Sequence, residues 1–444
     1  MSGHQPGSVT LLNPEAVEGL PGLVSIDIEA CNRLGSQHYL AGDFAKAEEC
    51  FIAVIRADPN HALAWCNLGF IWQLNGFLDD ALKCYMRSYE LKPDNAALLT
   101  NMGFLNKEVG HMDHAIRMFE RALEIEPGQA RAMGNLGESL LYKHDFARAW
   151  PLLEARFRTT PQISVMREYP IPIWNGKPCR KLAIWPEQGV GDQILYTTLL
   201  PELIERGQDF VCELDARLLP AYHRSFPTSQ FVPRKHEGGF EGCDAHSSMM
   251  SLCQHFRQSI ADFEHQPTGL LLASSERVLE ARHAMGPCED QKRVAISWRS
   301  FHPSINISKQ TQKSASLADF ALLGRRDDIK LVTVQYGAVA EEIGTWAGNP
   351  IHHPGIDLWN DIDGILAVIE ACDAVVTTSN VTAHFAGALG KETYLIYRRN
   401  NSPFFYWASH NGRSLWYPEV RIVTGEDVDT WEKAIERVSE RLPP

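Results

Sequence analysis

The chain reads as an α-helical solenoid followed by an α/β region of two doubly wound units. Three observations predict this. One set of residues recurs every 34 positions across residues 28–161. From Lys181 onward, short apolar runs alternate with helical patterns in two successive blocks. At the end of the first such run, Lys181-Leu-Ala-Ile-Trp185, a turn carrying Glu187, Gly189, Gly191 and Asp192 leads into a helix expected to run to about Arg206. A strand, a glycine turn and a helix N-terminus place backbone N–H groups and a carboxylate at the edge where such sheets bind ligands. The plainer reading of the same residues is glycines for turn geometry and Asp192 as the helix cap.

Composition narrows the function. With 444 residues the chain has room for two or three cores, and 44% hydrophobic with 22% charged residues is ordinary for a globular protein. A net charge of −13 argues against a nucleic-acid partner. No apolar run approaches the ~20 residues that span a bilayer. The start, Met1-Ser-Gly-His-Gln-Pro6, lacks the pattern of a signal peptide, so a cytoplasmic location is expected. Ten cysteines without a C-x-x-C pair read as reduced structural thiols rather than a disulfide or zinc framework. Residues 1–27 carry little pattern and read as a flexible lead-in.

Within residues 28–161, Gly35, Gly69, Gly103 and Gly137 share one register. Ala47, Ala81, Ala115 and Ala149 share a second, Phe51, Tyr85, Phe119 and Leu153 a third, and Pro59, Pro93, Pro127 and Pro161 a fourth. Small residues let paired helices approach, the large one fills the gap between repeats, and proline ends the second helix. The pattern resembles four tetratricopeptide repeats. Asn67, Asn101 and Asn135 recur in the first helices, with Arg33 in the first repeat. In that repeat family the position faces the concave groove, where a ladder of carboxamides can pair with the backbone of an extended peptide. The alternative is that each asparagine bonds within its own repeat. Assembly of copies through the solenoid is also open.

Residues 162–180, with Pro170, Pro172 and Trp174-Asn-Gly-Lys-Pro178, read as a linker. The first α/β unit spans 181–290, with strands at Lys181–Trp185, Phe210–Leu214 and Gln230–Pro233. The second spans 291–444, with strands at Arg293–Trp298, Lys330–Gln335, Ala374–Thr378 and Thr393–Tyr397. Helices are expected at 317–323, 362–372 and 380–389, and a closing helix at 428–442 capped by Asp427 or Asp429.

Trp174-Asn-Gly-Lys-Pro, Glu187-Gln-Gly-Val-Gly-Asp-Gln-Ile, Leu199-Leu-Pro-Glu-Leu, Lys313-Ser-Ala-Ser-Leu, Ser379-Asn-Val-Thr-Ala-His-Phe-Ala-Gly-Ala-Leu-Gly390 and Trp416-Tyr-Pro resemble, in order, the heptosyltransferase-like glycosyltransferases. That resemblance implies the GT-B fold, two Rossmann-like domains across a cleft, and sugar transfer from a nucleotide donor with no bound metal or other cofactor. Fused to tetratricopeptide repeats, it is similar to bacterial enzymes that glycosylate proteins such as flagellin. Inverting transfer needs a base for the acceptor hydroxyl and positive charge for the departing phosphate. Asp192 matches the family's catalytic carboxylate, with Glu187 as its rival. Gly189 and Gly191 shape the turn. The resemblance puts Lys313, Ser379, Asn380, Thr382 and His384 on the donor side, with Arg299 to hold phosphate and Gln335 to meet the base; the plainer readings are a solvated loop lysine for Lys313 and a satisfied helix histidine for His384, and Trp298 either lines the cleft or belongs to the core. Family members carry an aspartate where this chain has Ser379 or Asn380. Its absence puts a heptose donor in doubt and suits an acidic sugar such as a CMP-linked nonulosonate.

Other signals are discounted. Asp361-Ile-Asp363 precedes a helix and reads as a cap rather than a metal site. Asn306-Ile-Ser and Asn380-Val-Thr carry no meaning as glycosylation sites in a cytoplasmic protein, and His352-His353 reads as loop. Two rivals stand beside the protein glycosyltransferase: an inactive scaffold, and a transferase acting on lipopolysaccharide or another glycan.

Overall fold

The computed structural model describes residues 27–159, 164–234, 240–288, 290–300, 313–398, 405–424 and 428–442. The expected cap Asp427, Asn306 and Pro161 lie outside the described residues. Packing divides the chain into two compact units, one ending at Asn135 and one beginning at Leu136.

The solenoid helices are α1 (Ile28–Leu40), α2 (Phe44–Ala57), α3 (Ala62–Leu74), α4 (Leu78–Leu91), α5 (Ala96–Glu108), α6 (Met112–Ile125), α7 (Ala130–Tyr142) and α8 (Phe146–Leu153). Both first and second helices restart every 34 residues, as the sequence period requires. Gly42, Gly76 and Gly110 join the helices of successive pairs at φ of 79°, 85° and 84°. His144 takes the same place in the fourth pair at φ 62° despite its side chain. Asp58, Lys92 and Glu126 end the second helices in extended or near-extended backbone. Each precedes a proline, which disfavours helical ψ at the residue before it.

The glycine–aromatic register works within each repeat rather than between repeats. A Cβ at Gly35, Gly69 or Gly103 would lie 2.7, 2.8 or 2.5 Å from the ring of Phe51, Tyr85 or Phe119. Those rings are buried, so they have no room to withdraw. Gly103→Ala is therefore expected to cost about 1–3 kcal/mol by overpacking, measured by chemical denaturation. Gly128→Ala, where a Cβ meets nothing within 4 Å, is the neutral control.

The fourth pair differs. Pro151 lies inside α8, which ends at Leu153 and continues as a 3-10 turn, Glu154–Phe157. The packing boundary falls within α7, so most of this pair belongs to the second unit. Trp150 there donates from Nε1 to the Arg257 carbonyl at 2.5 Å, and Phe146 packs on Phe263.

The second unit holds two sheets. The first has β1 (Leu182–Trp185), β2 (Phe210–Leu214), β3 (Gln230–Pro233) and β4 (Ala245–Ser248), all parallel, in the order β3-β2-β1-β4. The second has β5 (Lys292–Ser297), β6 (Ile329–Thr333), β7 (Ala374–Thr377), β8 (Thr393–Ile396), β9 (Ser409–His410), β10 (Arg413–Ser414) and β11 (Val420–Val423). Its order is β6-β5-β7-β8-β11-β10-β9, parallel as far as β11, with β10 and β9 antiparallel at the edge. Strand order reverses between β1 and β4 in one sheet and between β5 and β7 in the other, the places where doubly wound sheets open a crevice.

The connecting helices are α9 (Val190–Thr197), α10 (Leu200–Glu205), α11 (Leu219–Ser225), α12 (Cys253–Phe256), α13 (Ser275–Met285), α14 (Ala340–Gly344), α15 (Ile362–Glu370), α16 (Val381–Leu389) and α17 (Trp431–Arg441). The helix expected to run unbroken to Arg206 is split into α9 and α10. Pro201 has no N–H to continue the ladder, and Thr197 and Thr198 turn their hydroxyls back to the Ile194 and Leu195 carbonyls. The expected helix at 317–323 is two 3-10 turns, Leu317–Phe320 and Leu323–Arg325. Thr430 caps α17, in place of Asp429. Asp361 caps α15 and pairs with Arg277, and Asp363 pairs with Arg224, so both carboxylates are engaged. No helix among the described residues is long and apolar enough to cross a membrane.

Candidate functional site

The site is built where α9, which follows β1, packs on α16, which follows β7. All four residues of β1 are buried, which fixes the start of the loop Pro186–Gly189. Gly189 is the N-cap of α9 at φ −72° and ψ 179°, extended backbone open to any residue. The reason for glycine at 191 is contact across the site. A Cβ there would lie 2.8 Å from His384 Cδ2 and 3.2 Å from its Nε2. Gly191 thus serves close approach rather than a tight turn, while a Cβ at Gly189 would meet only Asp192 Oδ2, at 3.7 Å.

Asp192 is the third residue of α9, not its N-cap, and its carboxylate takes the Gly189 N–H. Burial pushes its pKa up to about 6, aided by the charge of Glu187 and opposed by backbone N–H groups and Lys313. It shares a small pocket with Glu187, Gln193, Tyr196, Met249 and Met250. His384, on α16, is buried, which lowers its pKa to about 3 and leaves it neutral. Its Nδ1 shares a 3.1 Å hydrogen bond with the Tyr417 hydroxyl, and its ring packs on Tyr406 and Trp407. Tyr196, Tyr406 and Tyr417 all feel the Asp192 charge, and burial holds each phenol protonated.

Glu187 is not free to act as a base in this arrangement. Arg156 holds both its oxygens, Nε to Oε2 at 2.5 Å and Nη2 to Oε1 at 2.8 Å.

The residues expected on the donor side are brought together, but mostly to build the site. Gln335 Oε1 accepts from Ser297 Oγ, Trp298 N and Arg299 N, and its Nε2 donates to the Arg299 and Tyr336 carbonyls. Its polar atoms are spent on the turn after β5, so it has none left for a base. Asn380 caps α16 by accepting from Thr382 N, and its Nδ2 donates to Ser297 Oγ and the Arg299 carbonyl. It therefore stitches the turns after β5 and β7 together. Ser379 Oγ accepts from Trp407 Nε1, and Thr382 is buried. Trp298 belongs to the core, with Nε1 donating to Glu342, which also pairs with Arg299.

In the solenoid the three asparagines are not equivalent open carboxamides. Asn101 is buried, with Nδ2 3.5 Å from Cys66 Sγ and Oδ1 without a partner. Asn135 donates to the Arg131 carbonyl of its own helix, as the local alternative expects, and Asn67 is half-buried.

The tetratricopeptide repeat matches residues 32–97 and 96–129. Protein FlbA of Caulobacter vibrioides is 26% identical over 318 residues, covering 66% of this chain and 52% of that protein. The chain thus spans about half the length of that relative. A match of this extent is more than the repeats supply, so the likeness runs into the α/β region. Among solved structures, MamA is 22% identical at a TM-score of 0.27, covering 29% of this chain and 75% of its own. PilW, a type IV pilus biogenesis factor, is 23% identical at 0.28, covering 31% and 63%.

Sequence reasoning missed Arg156, Tyr196 and Tyr406. Tyr196 carries a usable signal, since it stands four residues after Asp192 on one helix face. Arg156 carries none, because its partners come from the loops after β1 and β4.

Proposed function

We propose that the α/β region is a GT-B glycosyltransferase with its halves at 181–290 and 291–444. It transfers a sugar from a nucleotide donor to a Ser or Thr hydroxyl of a protein held by the solenoid at 28–161, and flagellin is the kind of acceptor the family resemblance points to. The observation that carries this reading is Asp192, a carboxyl poised at a pKa of about 6 on a strand-order reversal, next to Gly191, which packs against the neutral His384 of α16. A base works best when its pKa lies near the working pH. Asp192 takes the acceptor hydroxyl proton as that oxygen bonds to the anomeric carbon. The bond from this carbon to the donor phosphate breaks, and its electron pair leaves with the nucleotide. Lys313 and an N–H of His384 offset the charge that departs. No metal or other cofactor enters the reading.

A second reading, an inactive scaffold, draws on the engagement of Gln335 and Asn380 and on the Arg299–Glu342 pair. A thermal-shift panel of UDP, GDP, ADP, CMP and dTDP separates the two. A nucleotide at about 100 times its Kd stabilises the folded state by about 2.7 kcal/mol. The enzyme reading expects a shift with one nucleotide, weakened by Lys313→Ala, and CMP alone would indicate an acidic sugar. A flat panel would favour the scaffold.

A further inference from the structure

We infer that Arg156, in the last turn of the fourth helical repeat, is a positioning residue of the site. It clamps the loop that leads to Asp192 onto the end of β4 and neutralises Glu187 beside it. The inference rests on the reading of Asp192 as the working carboxylate.

Arg156 is 4% exposed and uses its whole guanidinium. Besides the fork on Glu187, Nη2 donates to Ser248 Oγ and Ser251 Oγ, each at 2.9 Å. Nη1 donates to Glu154 Oε1 at 2.7 Å and the Leu153 carbonyl at 3.0 Å. The Phe157 ring lies under the guanidinium, 4.1 Å from its carbon. Glu187 lies in the loop after β1, while Ser248 ends β4 and Ser251 follows it, so one side chain ties both lips of the strand-order reversal. Ser248 and Ser251 flank Met249 and Met250, which line the pocket with Asp192.

Anchoring alone does not require charge here. An apolar pair of similar volume often serves as well as a buried ion pair. What a charged pair adds is control of its neighbour: the Glu187 charge raises the Asp192 pKa, and the guanidinium that pairs with both Glu187 oxygens opposes that charge. Among the described residues, the groups that act on Asp192 or feel its charge are Glu187 from its own loop, Tyr196 from α9, Lys313, and Tyr406 and Tyr417 from the C-terminal stretch, while His384 from α16 lies against the neighbouring Gly191. Among these Glu187 is the one other carboxylate, and Arg156 holds both its oxygens.

The test is the titration of Asp192 in the full chain, followed by NMR of 13Cγ-labelled aspartate, which needs no substrate. Arg156→Met uncovers Glu187 and is expected to raise the Asp192 midpoint by about one pH unit, tenfold in proton affinity. Glu187→Gln leaves the arginine uncovered and is expected to lower it. The double variant is expected to return it close to the wild-type value, and Arg156→Lys to hold it within about half a unit. A merely structural Arg156 would give the single variants no opposite signs and the double variant no return, and either result overturns the inference. If Arg156→Met does not fold, Glu187→Gln and the double variant still decide it. Should the nucleotide panel be flat while these shifts appear, the transferase reading fails and the electrostatic clamp stands.

Discussion

Replacing Trp150 with alanine is expected to destabilise the protein by about 3–5 kcal/mol, the usual range for removing a buried tryptophan. Trp150 is 2% exposed and fills the space between Phe146, stacked at 6.4 Å, and Trp416, met edge-on at 6.5 Å. Phe263 closes the same cluster, 5.1 Å from both Phe146 and Trp416. Alanine would leave a void among rings that cannot collapse together, and would strip the Arg257 carbonyl of the Nε1 donor at 2.5 Å. Trp150→Phe keeps most of the volume and loses only that bond, so its cost should be nearer 1–2 kcal/mol. Urea denaturation followed at 222 nm checks both. Equal costs for the two variants, or less than about 1 kcal/mol for alanine, would show that α8 does not share the α/β core. The expected result assigns the last helix pair to that core, although its sequence register belongs to the repeats.

That mismatch shows what the sequence can convey. A 34-residue period is a local property, written in glycine, alanine, large residue and proline, and each helix of the solenoid starts where the register places it. The principal strands were legible because buried parallel strands are short, apolar and bounded by turns. β4 was not, since Ala245-His-Ser-Ser248 is polar in sequence and buried only by what surrounds it. At the site, residue types and chain order singled out Asp192 and His384, and the structure sets His384 against Gly191, the residue before Asp192. Roles were harder to read, because they depend on partners far along the chain. Nothing near Gln335 shows that its amide serves the turn at Trp298 and Arg299. Nothing near Gly191 shows that its missing side chain makes room for His384. Sequence identifies the groups able to do chemistry, while long-range hydrogen bonds decide which of them are already engaged.

Asp192→Asn should remove activity and add stability, a combination that separates a working carboxylate from a helix cap. On the proposed mechanism, losing the base lowers the transfer rate by about 10²–10⁴. The stability effect follows from the folded pKa of about 6, raised above the ordinary 3.8 mainly by burial. A carboxyl raised in this way binds its proton more tightly when folded. Its favourable contribution is full below pH 3.8 and is lost as pH rises through about 6. The full shift corresponds to about 3 kcal/mol, and partial access of Asp192 to solvent reduces this to about 1–2 kcal/mol. Asparagine keeps an oxygen for the Gly189 N–H but never carries the charge. The variant should therefore be more stable than the wild type at pH 7.5, with the gap closing towards pH 4. Melting curves at the two pH values measure this without knowledge of donor or acceptor. If Asp192 acted only as a cap, its charge would favour the positive end of α9, and the variant would melt lower at pH 7.5. A higher Tm that falls back to the wild-type value in acid is the signature of a carboxylate held, at some cost to the fold, where it is needed for chemistry.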